Sequence, residues 1–163
     1  MKNRFLREIL IYGGIIVFVL LIRHFIMVPV RVEGPSMQPT LEVGQIMILN
    51  KTAYWFNQPE RFDVVIVNDN GLPIIKRIIG LPGEIVKITD NRLYINDEQI
   101  PQTFDFVDNL MDHEPDGVVA EGHFFILGDN RPVSQDSRMF GTISEDQILG
   151  RISTSIWPFR SIN

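Results

Sequence analysis

Ile74-Ile75-Lys76-Arg77-Ile78-Ile79 is the stretch on which the fold turns. Its β-branched residues, with Gly and Pro on either side, read as a short strand. Successive side chains of a strand alternate between faces, so Lys76 shares one face with Ile74 and Ile78, and Arg77 the other with Ile75 and Ile79. Both faces are apolar, so at least one cation must sit against hydrophobic surroundings. Burial disfavours the charged form of a lysine and lowers its pKa. A neutral amine can then take the proton of a serine hydroxyl, which is a weak nucleophile by itself. The alternative is an edge strand whose two cations reach water along their long stems.

Outward from this strand, short β-branched and aromatic runs recur between Gly, Pro, Asn and Asp residues, as in a mainly β fold. Strands are expected near 30–33, 45–50, 63–67, 74–79, 85–89, 92–96, 124–127 and 151–157. Asp90-Asn91 and Asn96-Asp97 suit tight hairpin turns and predict a three-stranded meander. One short helix is expected near the C-terminus: Ser144-Glu145-Asp146-Gln147 fits a capping box, with Gly150 as its stop. Residues 103–122 carry six acids and no Lys or Arg, which reads as a solvated loop.

Towards the N-terminus the uncharged run Ile9–Ile22 marks a single transmembrane helix. A hydrocarbon core of ~30 Å needs about 20 helical residues, which 9–28 supplies if Arg23 snorkels to the interface. No Ala-x-Ala cleavage site follows, which favours a retained anchor over a removed leader. The net charge of −5 divides as +2 for residues 1–22 and −7 beyond. Basic residues ahead of the span put 1–8 in the cytoplasm and the domain 29–163 outside. The acidic balance excludes a strongly basic nucleic-acid binder, and the absence of cysteine excludes disulfides and thiolate metal sites. Trp55-Phe56 suits either a lipid interface or the core.

Gly34-Pro35-Ser36-Met37-Gln38-Pro39 follows the anchor closely. Eight residues from Val28, at ~3.3–3.6 Å each, keep Ser36 within roughly 30 Å of the membrane surface. A serine between two prolines is an ordinary turn residue or a nucleophile held in a defined backbone shape. Gly128-Asp129-Asn130-Arg131-Pro132-Val133-Ser134-Gln135-Asp136-Ser137-Arg138 is a third dense block. It suits a turn network in which Asp129 and Asp136 pair with Arg131 or Arg138, or a support that holds a catalytic group in one rotamer. Walker, dinucleotide-binding and His-Glu-x-x-His patterns are missing, and His24, His113 and His123 lack ligand spacing. No cofactor or metal is expected.

Together with Arg61-Phe62-Asp63-Val64-Val65 and Lys76-Arg77-Ile78-Ile79-Gly80-Leu81-Pro82-Gly83, these blocks resemble bacterial type I signal peptidases, in the family's order and over nearly the whole chain. The short length and single anchor resemble the Gram-positive branch. The resemblance implies a β-rich catalytic domain of short antiparallel strands on the outer face of the cell membrane. It implies cleavage of signal peptides from secretory preproteins after small residues at −1 and −3. Ser36 then matches the nucleophile, Lys76 the general base and Ser134 the hydroxyl that orients the lysine. Asp129, Asp136 and Arg138 match structural supports. The Ser36 backbone N–H is the expected oxyanion donor. Some relatives carry a second donor serine where this chain has Gly34, so no second donor is assigned. Pro132-Val133 also departs from some relatives. Two other readings stay open: a non-catalytic relative that assists assembly of surface structures, and a Ser–Lys peptidase dedicated to pilus or surface precursors. Oligomeric state is not legible.

Overall fold

The computed structural model describes residues 2–90, 92–101, 117–157 and 159–161. Helix α1 (Lys2–Phe25) leads through Ile26 into strand β1 (Met27–Arg31). The side chains described along α1, Arg4 and those of residues 7–22, are exposed except for half-buried Ile22. Among the described residues no helix is long and apolar enough to cross a membrane. The uncharged run Ile9–Ile22 spans only about 21 Å at 1.5 Å per residue, short of the ~30 Å of a bilayer core. Val28, taken above as the end of the anchor, already belongs to β1.

The body of the molecule is mainly β. After β1 and a 3₁₀ turn at Pro35–Met37 come β2 (Ile46–Asn50), β3 (Val64–Asp69) and β4 (Leu72–Gly80). Then follow β5 (Val86–Thr89), β6 (Arg92–Ile95), β7 (Glu98–Gln99), β8 (His123–Leu127), α2 (Ser137–Phe140), β9 (Ile143–Ser144), β10 (Ile148–Trp157) and β11 (Phe159–Ser161). The large antiparallel sheet runs β1-β2-β10-β3-β4-β8-β9, with β11 also paired to β10. β4 therefore lies inside the sheet from Arg77 onward, while its first half pairs with β3 alone, and both cations are nevertheless buried. The expected meander forms as β5-β6-β7. Asp90, Asn96 and Asp97 take positive φ of 49°, 50° and 66°, a conformation that Asn and Asp tolerate better than most residues. Asn91 and most of the acidic 103–122 stretch lie outside the described residues.

Alternation along β3 decides the packing around β4. Val64 and Ile66 join Val32, Met37, Leu41, Met47, Leu49 and Ile152 in one apolar cluster. Val65 and Val67 join Ile78, Phe124, Ile126 and Ile143 in another. A third cluster, built on Ile79, Ile88, Leu93, Ile95 and Phe125, seals the small sheet against β4 and β8. Met37 and Leu41 are almost fully buried, and they pin the segment that follows Ser36 into the core.

The helix expected at 144–149 is corrected to a single 3₁₀ turn, Glu145–Gln147. Its capping contact does form, since the Gln147 side chain takes the Ser144 backbone N–H at 2.9 Å. Three residues cannot sustain an α-helix against competing strand pairing. Ile148 and Gly150 are already paired to Val67 and Ile66 of β3. Gly150 is thus a strand residue with φ 148°, not a helix stop. Any side chain there would run into the Asn50 carbonyl of β2. Among the described residues the one α-turn near this end is α2, further upstream.

Candidate active site

Ser36 sits in the 3₁₀ turn Pro35–Met37, and Lys76 sits midway along β4 opposite Val65. Lys76 Nζ lies 3.0 Å from Ser36 Oγ. Two residues 40 positions apart are thereby brought into hydrogen-bond contact. Lys76 is only 4% exposed. Burial pushes its pKa below the ordinary lysine value, and Arg138 pushes the same way, while Asp136 and Asp129 act in the opposite direction. Loss of hydration is the largest cause, and it shifts the balance towards the neutral amine.

The loop after β8 supports both partners. Asp129 is fully buried and grips Arg77 with both oxygens, Nε–Oδ1 at 2.9 Å and Nη2–Oδ2 at 2.6 Å. Arg77 also donates to the Phe62 carbonyl at 2.9 Å. Asp136 likewise takes two bonds from Arg138, at 2.8 and 2.9 Å, and accepts the Gly128 N–H at 3.0 Å. Arg138 reaches back to the Arg131 carbonyl at 2.8 Å. Arg131 is itself buried, which lowers its pKa to about 10. The Asn130 N–H donates to the Ser36 carbonyl at 2.9 Å, joining the serine turn directly to this loop. Gly128 is obligatory here: a Cβ would collide with Ser134 Oγ and come within 2.5 Å of the Ser36 carbonyl oxygen.

Most residues singled out in the sequence therefore converge on one place. Asp136 pairs with Arg138 as expected, but Asp129 is taken by Arg77, a partner 52 positions away. Ser134 is buried, yet its hydroxyl makes no hydrogen bond among the described residues. Among the described residues no bond joins it to the Lys76 amine, which meets Ser36. Sequence reading passed over Thr40, whose hydroxyl donates to Asp129 Oδ2 at 2.5 Å. It also left Arg77 without a role. The available signal was a second cation on an apolar strand, which requires a buried carboxylate somewhere.

A cleft of about 400 Å³ opens beside the dyad. Its walls come from Val30, Val32 and Glu33 on and after β1, and from Pro73, Ile74 and Ile75 on β4. In the register described, β1 pairs only with β2, and β8 pairs with β4 only at Arg77, Ile78 and Gly80. The cleft is thus flanked by strand segments that have backbone groups to spare, as needed to hold an extended chain.

A family model described as signal peptidase, peptidase S26, matches residues 5–157. The chain belongs to this family. This signal peptidase is 38% identical to Signal peptidase I T of Bacillus subtilis (strain 168), over 90% of the present chain and 82% of the relative. It is 33% identical to Signal peptidase IB of Staphylococcus aureus (strain COL), over 98% and 93% of the two chains. The crystal structure of a signal peptidase I from Enterococcus faecalis V583 superimposes with a TM-score of 0.52 at 33% identity. It covers 60% of this chain and 98% of the other. As a type I signal peptidase the molecule is a serine endopeptidase with the family's mainly β antiparallel fold.

Proposed function

We propose that Ser36 is the nucleophile and Lys76 the general base with which this signal peptidase cuts secretory preproteins. The observation that carries this is the 3.0 Å contact between a serine hydroxyl and a buried lysine amine shifted towards its neutral form. Nζ takes the Ser36 proton while Oγ adds to the scissile carbonyl, and the Ser36 backbone N–H faces the developing oxyanion. Collapse breaks the C–N bond. The ammonium of Lys76 gives its proton to the departing amine, leaving an ester on Ser36. Lys76 then takes a proton from water, the hydroxide adds to the ester carbonyl and displaces Oγ, and the serine recovers its proton from the Lys76 ammonium.

An extended substrate lying between β1 and β4 presents alternate side chains to one wall. The residues at −1 and −3 then face the same way, which accounts for a demand for small side chains at both. We further assign α1 from Ile9 onward to the membrane as a single anchor, a short span that a bilayer meets by local thinning, with residues 1–8 in the cytoplasm and the β domain on the outer face. The apolar residues described along Ile9–Leu21 are exposed, and no other described residue covers them. Trp55 and Phe56, 66% and 93% exposed, follow Lys51, whose N–H bonds the carbonyl of Ile26 just after the helix. Aromatic side chains at that level suit the headgroup region. A non-catalytic assembly role finds no support in a site whose dyad is assembled.

Ser36→Ala and Lys76→Ala should each lower preprotein cleavage by about three orders of magnitude or more, with the circular dichroism of the domain unchanged. Substantial cleavage by folded Lys76→Ala would remove the proposed base. In wild type, protonated Lys76 cannot accept the serine proton, so kcat/KM falls as pH drops through its pKa. Burial puts that acidic limb below the ~10.4 of a free lysine. A rate independent of pH across this range contradicts the assignment.

A further inference from the structure

We propose that Thr40 is a positioning residue, whose hydroxyl, through Asp129, sets the separation of Ser36 and Lys76. The inference rests on the Ser–Lys reading above. Two separate pieces of chain meet on the dipeptide Asp129-Asn130, at three points. The serine turn arrives first, with the Ser36 carbonyl accepting the Asn130 N–H at 2.9 Å. Thr40, four residues further along the same segment, donates to Asp129 Oδ2 at 2.5 Å. The lysine strand arrives last, with Arg77 bound to both oxygens of Asp129. Arg77 is the immediate neighbour of Lys76. A closed ring therefore runs from Ser36 through Thr40, Asp129, Arg77 and Lys76 back to Ser36, and its final link is the 3.0 Å contact of the dyad.

Neutralising Asp129 does not call for the threonine, since Arg77 already meets the carboxylate in bidentate fashion. Nor does the segment depend on Thr40 to stay folded. Met37 and Leu41 are buried in the core, and the Leu41 N–H closes a turn onto the Met37 carbonyl at 2.8 Å. What the hydroxyl adds is a second tether that stops the serine turn from rocking about its Asn130 bond. Reaction geometry is sensitive to such freedom, because displacements near 1 Å can cost about 10²-fold in rate.

The test uses the full chain in detergent with a preprotein substrate, comparing wild type, Thr40→Val, Thr40→Ala and Thr40→Ser, with Ser36→Ala as the blank. Thr40→Val keeps the shape and deletes the donor. Its kcat should fall about tenfold, in line with loss of one hydrogen bond to a charged group. KM should stay within about twofold and Tm within a few degrees, and Thr40→Ser should recover most of the rate. An unchanged kcat in Thr40→Val overturns the proposal. So does a Thr40→Ser variant as slow as Thr40→Val, which would assign the effect to the methyl group. Should Thr40→Val not fold, Thr40→Ala carries the same comparison; collapse of both shows a structural role only and equally overturns it. A wild type as inert as Ser36→Ala sinks the dyad reading itself, whereas an active wild type beside a fully active Thr40→Val sinks only the role of Thr40.

Discussion

The loop around Asp129 and the small sheet β5-β6-β7 are built on opposite principles. The loop encloses Lys76, Arg77, Asp129, Arg131 and Asp136, all buried. The small sheet closes over Val86, Ile88, Leu93 and Ile95, and it leaves Arg92, Glu98 and Gln99 exposed. Burying each aliphatic side chain contributes ~1.5–3 kcal/mol. A buried ion pair roughly breaks even against its lost hydration, yet removing one partner is severe. The small sheet is therefore what stability alone produces. The charged loop has a geometry to hold, and it is found where Ser36 meets Lys76.

Asp129→Ala attacks the charged side of this contrast. It leaves Arg77 buried without its carboxylate and should lower stability by ~3–5 kcal/mol, read by urea unfolding, and abolish cleavage as well. A nearly neutral result would mean that water or another carboxylate already screens Arg77. Ile88→Ala attacks the aliphatic side. It should cost ~2–5 kcal/mol by the same measurement, while the rate per folded molecule stays at the wild-type value. A lower kcat in the folded fraction would show that the two regions are not separable. Glu84→Gln probes the border between them. Arg61 there bonds Glu84 in the turn before β5 and also the Ile79 carbonyl on β4. This pair is partly exposed and should contribute no more than ~1 kcal/mol, with Tm moving by a few degrees at most.

Sequence reading recovered the parts whose signal is local. Strands stand at or beside all eight expected places, the first displaced from 30–33 to Met27–Arg31, because β-branched runs between turn residues announce themselves. Glu98–Gln99 was expected only as the third arm of the meander, without bounds, because a two-residue polar strand has no apolar pattern; Ile143–Ser144, of the same length, and the three-residue Phe159–Ser161 escaped. The error at Ser144 was one of competition: the capping contact is real, but Ile148 and Gly150 belong to pairings with β3 from far upstream. In the site, Ser36 and Lys76 stood out through their unusual settings. The Arg77–Asp129 pair and the Thr40 bond could not be read, since each spans more than fifty positions and depends on where β4 and the loop after β8 meet.

Ile26 alone separates α1 from β1, and its carbonyl is tied at 3.0 Å to the Lys51 N–H at the end of β2. The catalytic body is mounted on its helix without a leash. On the membrane assignment proposed above, a one-residue connection leaves little slack, so the height of Ser36 above the helix end varies little. Such a mount trades a wide search volume for a narrow one, and the encounter becomes selective for scissile bonds presented at that height.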